Sequence, residues 1–166
     1  MDRCAGCGFE YDLAQARSSG GRIVSDTGTI ASHLQRSEIT DIRRRRTPEA
    51  WSPLEYACHV RDVLLIQRER VLAARRVERP SFDPMGRDER VEHDGYADQE
   101  PQAVARQLID AAALFANVLS RLDSGDWDRT LMYNYPAHIE RSLSWVAVHT
   151  DHEVSHHLMD IEMQLS

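Results

Sequence analysis

Histidine is concentrated at one end of the chain. Five of the eight histidines fall between Ala137 and His157, and His149, His152, His156 and His157 lie within nine residues. In a helix, at about 100° per residue, His152 and His156 sit one turn apart on the same face. Two imidazoles so placed can converge on one transition-metal ion at about 2.0–2.1 Å. Trp145, His149, Met159 and Met163 project near them, while Leu143, Ala147, Val154, Leu158, Ile161 and Leu165 form an apolar face on the other side. Because the helix already has a core face, its imidazole-rich face needs another explanation. Two ligands bind weakly, so a third must come from elsewhere. His59, on a face with Tyr56, Val63 and Ile66, is the natural candidate. Three neutral imidazoles leave coordination positions open, which is a catalytic arrangement.

The string His152-Glu153-Val154-Ser155-His156 also matches H-E-x-x-H, the zinc metallopeptidase motif. Such enzymes take a third ligand downstream, and the downstream candidates His157, Asp160 and Glu162 would lie on the same helix, too close or wrongly turned. A peptidase is therefore not expected. Glu153 and His149 remain candidates for a base or a supporting partner beside the metal.

Cys4-Ala-Gly-Cys7-Gly8 reads as half of a zinc ribbon, a second candidate metal site. A closed structural site needs four ligands, and the chain has no second C-x-x-C. Three readings stand: a degenerate knuckle, a site completed by a partner chain, and a redox pair. Cys58 points about 100° away from His59 and reads as a buried apolar filler.

These residues must be positioned by helices. Ser52-Pro53-Leu54-Glu55 is a capping box with proline at the first helical position, and Trp51 and Tyr56 flank it as a hydrophobic staple. That helix should run to about Val77. A first, looser helix lies within Tyr11 to Arg46, a third runs from Pro101 to about Leu122, and the last from about Ser142 to Leu165. A polar connection from Pro80 to Glu100 separates the second and third helices, while almost nothing reads as sheet. The expectation is an all-α four-helix bundle with a long crossover between helices two and three and short connections elsewhere. Residues 1–10 form an N-terminal C-x-x-C segment and residues 11–166 the bundle.

Composition sets the outer limits. The chain has 166 residues and a mass of 19.0 kDa, with 42% hydrophobic and 28% charged residues, a balance suited to one folded domain. Its 27 acidic residues against 20 arginines leave a net charge of −7, which argues against nucleic acid as a partner. The run Arg43-Arg44-Arg45-Arg46 reads as a solvated helix end. There is no lysine, which removes a P-loop lysine, a Schiff-base nucleophile and a lysine base, and points to a GC-rich genome. No apolar stretch reads as a membrane span and no signal peptide is evident, so a cytoplasmic protein is expected.

Trp51-Ser-Pro-Leu-Glu-Tyr-Ala-Cys-His59, taken with His152-x-x-x-His156 in the last helix, resembles the DinB-like metalloprotein superfamily. The resemblance runs from about Tyr11 to the C-terminus. It implies a four-helix bundle, often a homodimer, with one divalent metal on His59, His152 and His156. Zinc is the foremost candidate, with nickel or iron as alternatives. The superfamily includes S-transferases that use low-molecular-weight thiols, among them mycothiol. The implied activity is therefore attack of a metal-activated thiol on a small electrophile. The rival functions are a metal-dependent hydrolase that activates water, and a non-catalytic metal-binding bundle. The connections at the helix ends would wall the pocket, with Tyr133 and Tyr135 from one, and Arg87 or Arg90 from the other holding a substrate carboxylate.

Overall fold

The computed structural model describes residues 3–134 and 137–166. Four long helices carry the fold: α1 (Ser19–Arg36), α3 (Pro53–Arg76), α5 (Pro101–Ser120) and α6 (Leu143–Leu165). Helix α1 packs on α5 and α6, and α3 packs on the same two, so α1 and α3 lie diagonally across the bundle. The core lies among them, with Ile23, Ile30, Leu34, Leu64, Leu108, Phe115, Leu143 and Ile161 fully buried. This is the expected all-α bundle. By length and composition α5 could cross a membrane, but Val104, Leu108, Ala112, Phe115 and Leu119 are spent on the bundle core.

Local chemistry sets where the site-bearing helices begin. At the start of α3 the Ser52 side chain accepts from the Glu55 backbone N–H, while the Glu55 carboxylate accepts from the Ser52 N–H at 2.8 Å. Trp51 and Tyr56 meet with ring centroids 5.5 Å apart, closing the staple. Helix α6 starts where Ser142 caps the Trp145 N–H at 3.1 Å.

The connections are richer than expected. All three are long, and each carries a short element: α2 (Ile39–Arg43), α4 (Arg87–His93), and a hairpin of β1 (Thr130–Asn134) and β2 (His138–Ser142). The hairpin corrects the expectation of almost no sheet. Its antiparallel register pairs Thr130 with Ser142 and Asn134 with His138, and along β1 Leu131 and Tyr133 alternate inward, a period of two over too few residues to stand out. Length is required because the steps from α1 to α3 and from α5 to α6 each cross the bundle diagonally. Nor is the arginine run merely solvated. Arg43 donates to the carbonyls of Ala97 and Gln99, Arg45 pairs with the buried Glu55, and Arg46 binds the last turn of α6 through the Gln164 carbonyl.

Candidate metal centre and its cavity

Helix α6 offers two overlapping i, i+4 pairs, His152 with His156 and Glu153 with His157, offset by one residue and so by about 100° around the helix. The bundle turns the second pair toward α3. One ligand atom each from His59, Glu153 and His157 lie within 4.8 Å of one another, and the rings of His59 and His157 are 5.0 Å apart. Among the described residues no such group joins His59 to His152 or His156. The geometry thus groups His59 with Glu153 and His157 rather than with the expected His152 and His156. Residue type and spacing locate the two pairs, but the rotation of α6 against α3 chooses between them, and core packing sets that rotation.

These three residues fit a divalent ion. His157 Nδ1 lies 2.9 Å from the Asp160 carboxylate, which can only accept, so the proton sits on Nδ1 and the Nε2 lone pair, 3.9 Å from Glu153 Oε2, is free to bind. His59 Nδ1 is buried with no hydrogen-bond partner. Burial, with the neighbouring His157, pushes the His59 pKa down to about 3, so the ring is in the neutral form that a metal takes. Burial also raises the Glu153 pKa. A half-buried carboxylate among the imidazoles of His149, His152 and His157, with no arginine ion pair, is the kind of group a cation stabilises.

His152 and His156 turn instead to the N-terminal segment, where a ligand atom of each lies within 4.8 Å of Cys4 and Cys7 Sγ. Residues 3–10 and the bundle thus meet on one face of α6. The Cys4 thiol is pushed down to about 7 by the Cys7 backbone N–H, and burial raises that of Cys7. Cys58 is buried as expected, its thiol pushed up to about 12 by desolvation.

The donors open onto a cavity of about 610 Å³, a size suited to a small-molecule substrate. Its walls are Tyr11, the α3 residues Val63, Ile66, Gln67 and Arg70, the segment Pro84–Asp88, and Tyr133, Asn134, Arg141 and Trp145, with Cys4, His149, His152 and His156 along the α6 side. Tyr133 lines the cavity, its hydroxyl accepting from Gln67 Nε2 at 2.6 Å. Tyr135 lies outside the described residues. Arg87 lines the rim and stacks over Trp51 at 5.5 Å. Arg90 does not line this cavity. It is spent on Asp62 at 2.9 Å and on the Met85 carbonyl, because α4 turns it back against α3. His149, a candidate base, stacks on Trp145 at 4.4 Å and shares the Tyr11 hydroxyl with His152, at 2.9 and 2.7 Å from the two Nδ1 atoms. Burial, with repulsion from His152, Arg70 and Arg141, pushes it down to about 3, too low for a base near neutrality.

Sequence reasoning missed Arg70, Arg141 and Tyr11. Arg70 lies 4.8 Å over the Tyr133 ring, and Arg141, its Nε buried without a partner, lies 4.6 Å over Trp145. Arg70 shares its helix with His59 at a spacing of three turns, a weak signal. Arg141 could not be found without the hairpin.

The buried histidines give the metal-free protein a defined acid response. His59 and His149 are neutral in the folded state down to about pH 3, and His152 to about pH 4, from an ordinary value of 6.5. Below 6.5 the unfolded chain binds more protons than the folded one, so stability falls as pH drops through this window. The slope approaches about 1.4 kcal/mol per pH unit for each group. Urea midpoints of chelator-treated protein at pH 7.5, 6 and 5 should fall in that order, and a flat series would contradict the burial.

The comparisons with known proteins agree with this architecture. The profile of the DinB superfamily matches residues 28–161. The fold is similar to that of YfiT from Bacillus subtilis, described as a probable metal-dependent hydrolase with an unusual four-helix bundle topology. The TM-score is 0.81 at 12% sequence identity, over 91% of this chain and 86% of that one. None of the curated proteins searched matches the sequence.

Proposed function

Given that the chain belongs to the DinB superfamily, we propose that it is a metal-dependent S-transferase. It would join a low-molecular-weight thiol of the mycothiol type to a small electrophile carrying a carboxylate. One observation carries this reading. The His59–Glu153–His157 donors open onto a cavity whose other walls supply arginine and apolar surface but no disengaged base. His149 and His152 are held to Tyr11, His156 lies against Cys4 Sγ at 3.7 Å, Asp88 at the rim pairs with Arg87, and Glu153 is itself one of the donors.

A divalent ion on these residues, with zinc suited to the imidazole and carboxylate set, would act as a Lewis acid that favours the anionic form of a bound thiol. Hydrolysis asks more of the protein, because water is a far weaker acid than a thiol and its attack is ordinarily assisted by a positioned base as well as by the ion. In the transfer, the sulfur forms the new bond to carbon, the leaving group departs with its bonding pair, and the thiol proton passes to solvent. Arg141 and Arg70 bind the carboxylate of thiol or electrophile, and Arg141, with its unpartnered buried Nε, is the better placed. Val63, Ile66 and Trp145 keep the reacting sulfur out of bulk water.

The test is loss of free thiol with monobromobimane or chlorodinitrobenzene, in zinc-loaded protein. Turnover above background, abolished by chelator and by His59→Ala, is the expected result. No turnover with mycothiol or another small thiol in fully metallated protein would overturn the proposal, and turnover of an ester without thiol would assign hydrolysis instead.

A further inference from the structure

The catalytic reading leaves Cys4, Cys7, His152 and His156 unused, and they form a cluster of their own. Residues 4–9 make a tight knuckle: Arg3 and Glu10 pair antiparallel, the Cys4 N–H donates to the Phe9 carbonyl at 2.8 Å, and the Gly8 N–H to that of Cys4 at 2.9 Å. Gly8 adopts a φ of +76°, which a residue with a Cβ rarely takes. At Gly6 a Cβ would lie 3.0 Å from His156 Cε1 and 3.8 Å from Cys4 Sγ, so only glycine lets the knuckle press this closely on the imidazole.

We propose that Cys4, Cys7, His152 and His156 form a closed, structural zinc site, separate from the donors around His59. The pattern is C-x-x-C with H-x-x-x-H, within the spacing of Cys₂His₂ sites, and the four ligand atoms lie within 4.8 Å of one another. The edge between Cys4 and His156 supports the geometry. Tetrahedral zinc with Zn–S near 2.3 Å and Zn–N near 2.05 Å implies an S···N separation of about 3.6 Å, and Cys4 Sγ lies 3.7 Å from His156 Nδ1. The other nitrogen of His152 is hydrogen-bonded, and that of His156 faces a carboxylate. His156 Nε2 faces the Asp160 carboxylate at 3.7 Å, and His152 Nδ1 meets the Tyr11 hydroxyl at 2.7 Å, leaving His152 Nε2 buried with no partner. A hydrogen bond such as that of His152 to Tyr11 orients a ligating histidine. The site fastens the N-terminal segment across α6 and thereby holds Tyr11 in place as a wall of the cavity.

Cobalt(II) substitution of the full-length, chelator-stripped protein tests this. Wild type should show near-ultraviolet thiolate-to-cobalt charge transfer and the strong visible bands of a tetrahedral ion. The charge-transfer band should persist in His59→Ala and vanish in the Cys4→Ser/Cys7→Ser variant, with far-ultraviolet circular dichroism unchanged. Should that variant not fold, wild type decides the matter: an aromatic disulfide reagent should label Cys4 and Cys7 slowly in zinc-loaded protein and rapidly after chelation. Absence of charge transfer in wild type, its survival in the double variant, its loss in His59→Ala, or labelling indifferent to chelator would each overturn the proposal.

Discussion

His157→Ala is expected to strip the metal from the cavity, lowering its affinity by more than about 100-fold and taking thiol transfer to background. The magnitude follows from comparison with Asp160→Asn, which leaves every ligand in place and removes only the carboxylate 2.9 Å from His157 Nδ1; losses of that kind run to about 10–100-fold. Deleting the ligand costs more, because His59 and Glu153 are then left to hold the ion alone. Competition against a chromophoric chelator measures both variants. The decisive contrast is His152→Ala. If His59, Glu153 and His157 bind the catalytic ion, this variant keeps it and loses only the cobalt–thiolate signal of the N-terminal site. Were His157→Ala to keep the ion and His152→Ala to lose it, the ligand set would be His59, His152 and His156 after all.

That contrast also marks how far the sequence was readable. Helix starts were legible where side chains satisfy backbone donors, as at Ser52–Glu55, or where proline opens a helix, as at Pro101. His59 and the four-histidine run were legible as metal-binding chemistry because imidazoles at helical spacing are rare without a use. The choice between two overlapping i, i+4 pairs was not. It depends on the rotation of α6, which is set by Leu143, Val146, Ala147, Val154 and Ile161 seating in the core, and periodicity within one helix says nothing of its neighbour's azimuth. For the same reason the cysteine pair read as half a site. Its other half stands some 150 residues away, as the Cys4–His156 contact shows. Arg141 was hidden behind a hairpin too short to announce itself, and the arginine run was misread because its partners are mostly backbone carbonyls, which leave no trace in composition.

Asp62→Ala is expected to destabilise the fold by about 3–5 kcal/mol, since it leaves buried charged and polar partners without their acceptor. The Asp62 carboxylate, itself buried, accepts from Arg61 Nε at 2.8 Å, Arg90 at 2.9 Å and the Tyr96 hydroxyl at 2.7 Å. It thus ties α3 to the connection that walls the cavity. For a domain of this size the loss corresponds to a fall in Tm of roughly 10 °C. A second effect should accompany it. Arg90 also donates to the Met85 carbonyl at 2.8 Å, and Met85 lines the cavity, so the variant should raise KM for the cosubstrates more than it lowers kcat. Acidity separates this ion network from simple packing. Burial alone would raise the Asp62 pKa, but the hydrogen bonds from Arg61 and Tyr96, with the positive charge of Arg61, outweigh it and hold the carboxyl below its ordinary value of 3.8. A carboxylate depressed in this way contributes stability that is present above the unfolded pKa and lost only as pH falls through the folded one. The gap between wild type and Asp62→Ala in urea titrations should therefore stay constant from neutrality to about pH 5 and narrow only in stronger acid. A gap that closed between pH 7 and 5 would mean that Asp62 acts through a histidine, and that its bonds to Arg61, Arg90 and Tyr96 are not what holds the connection.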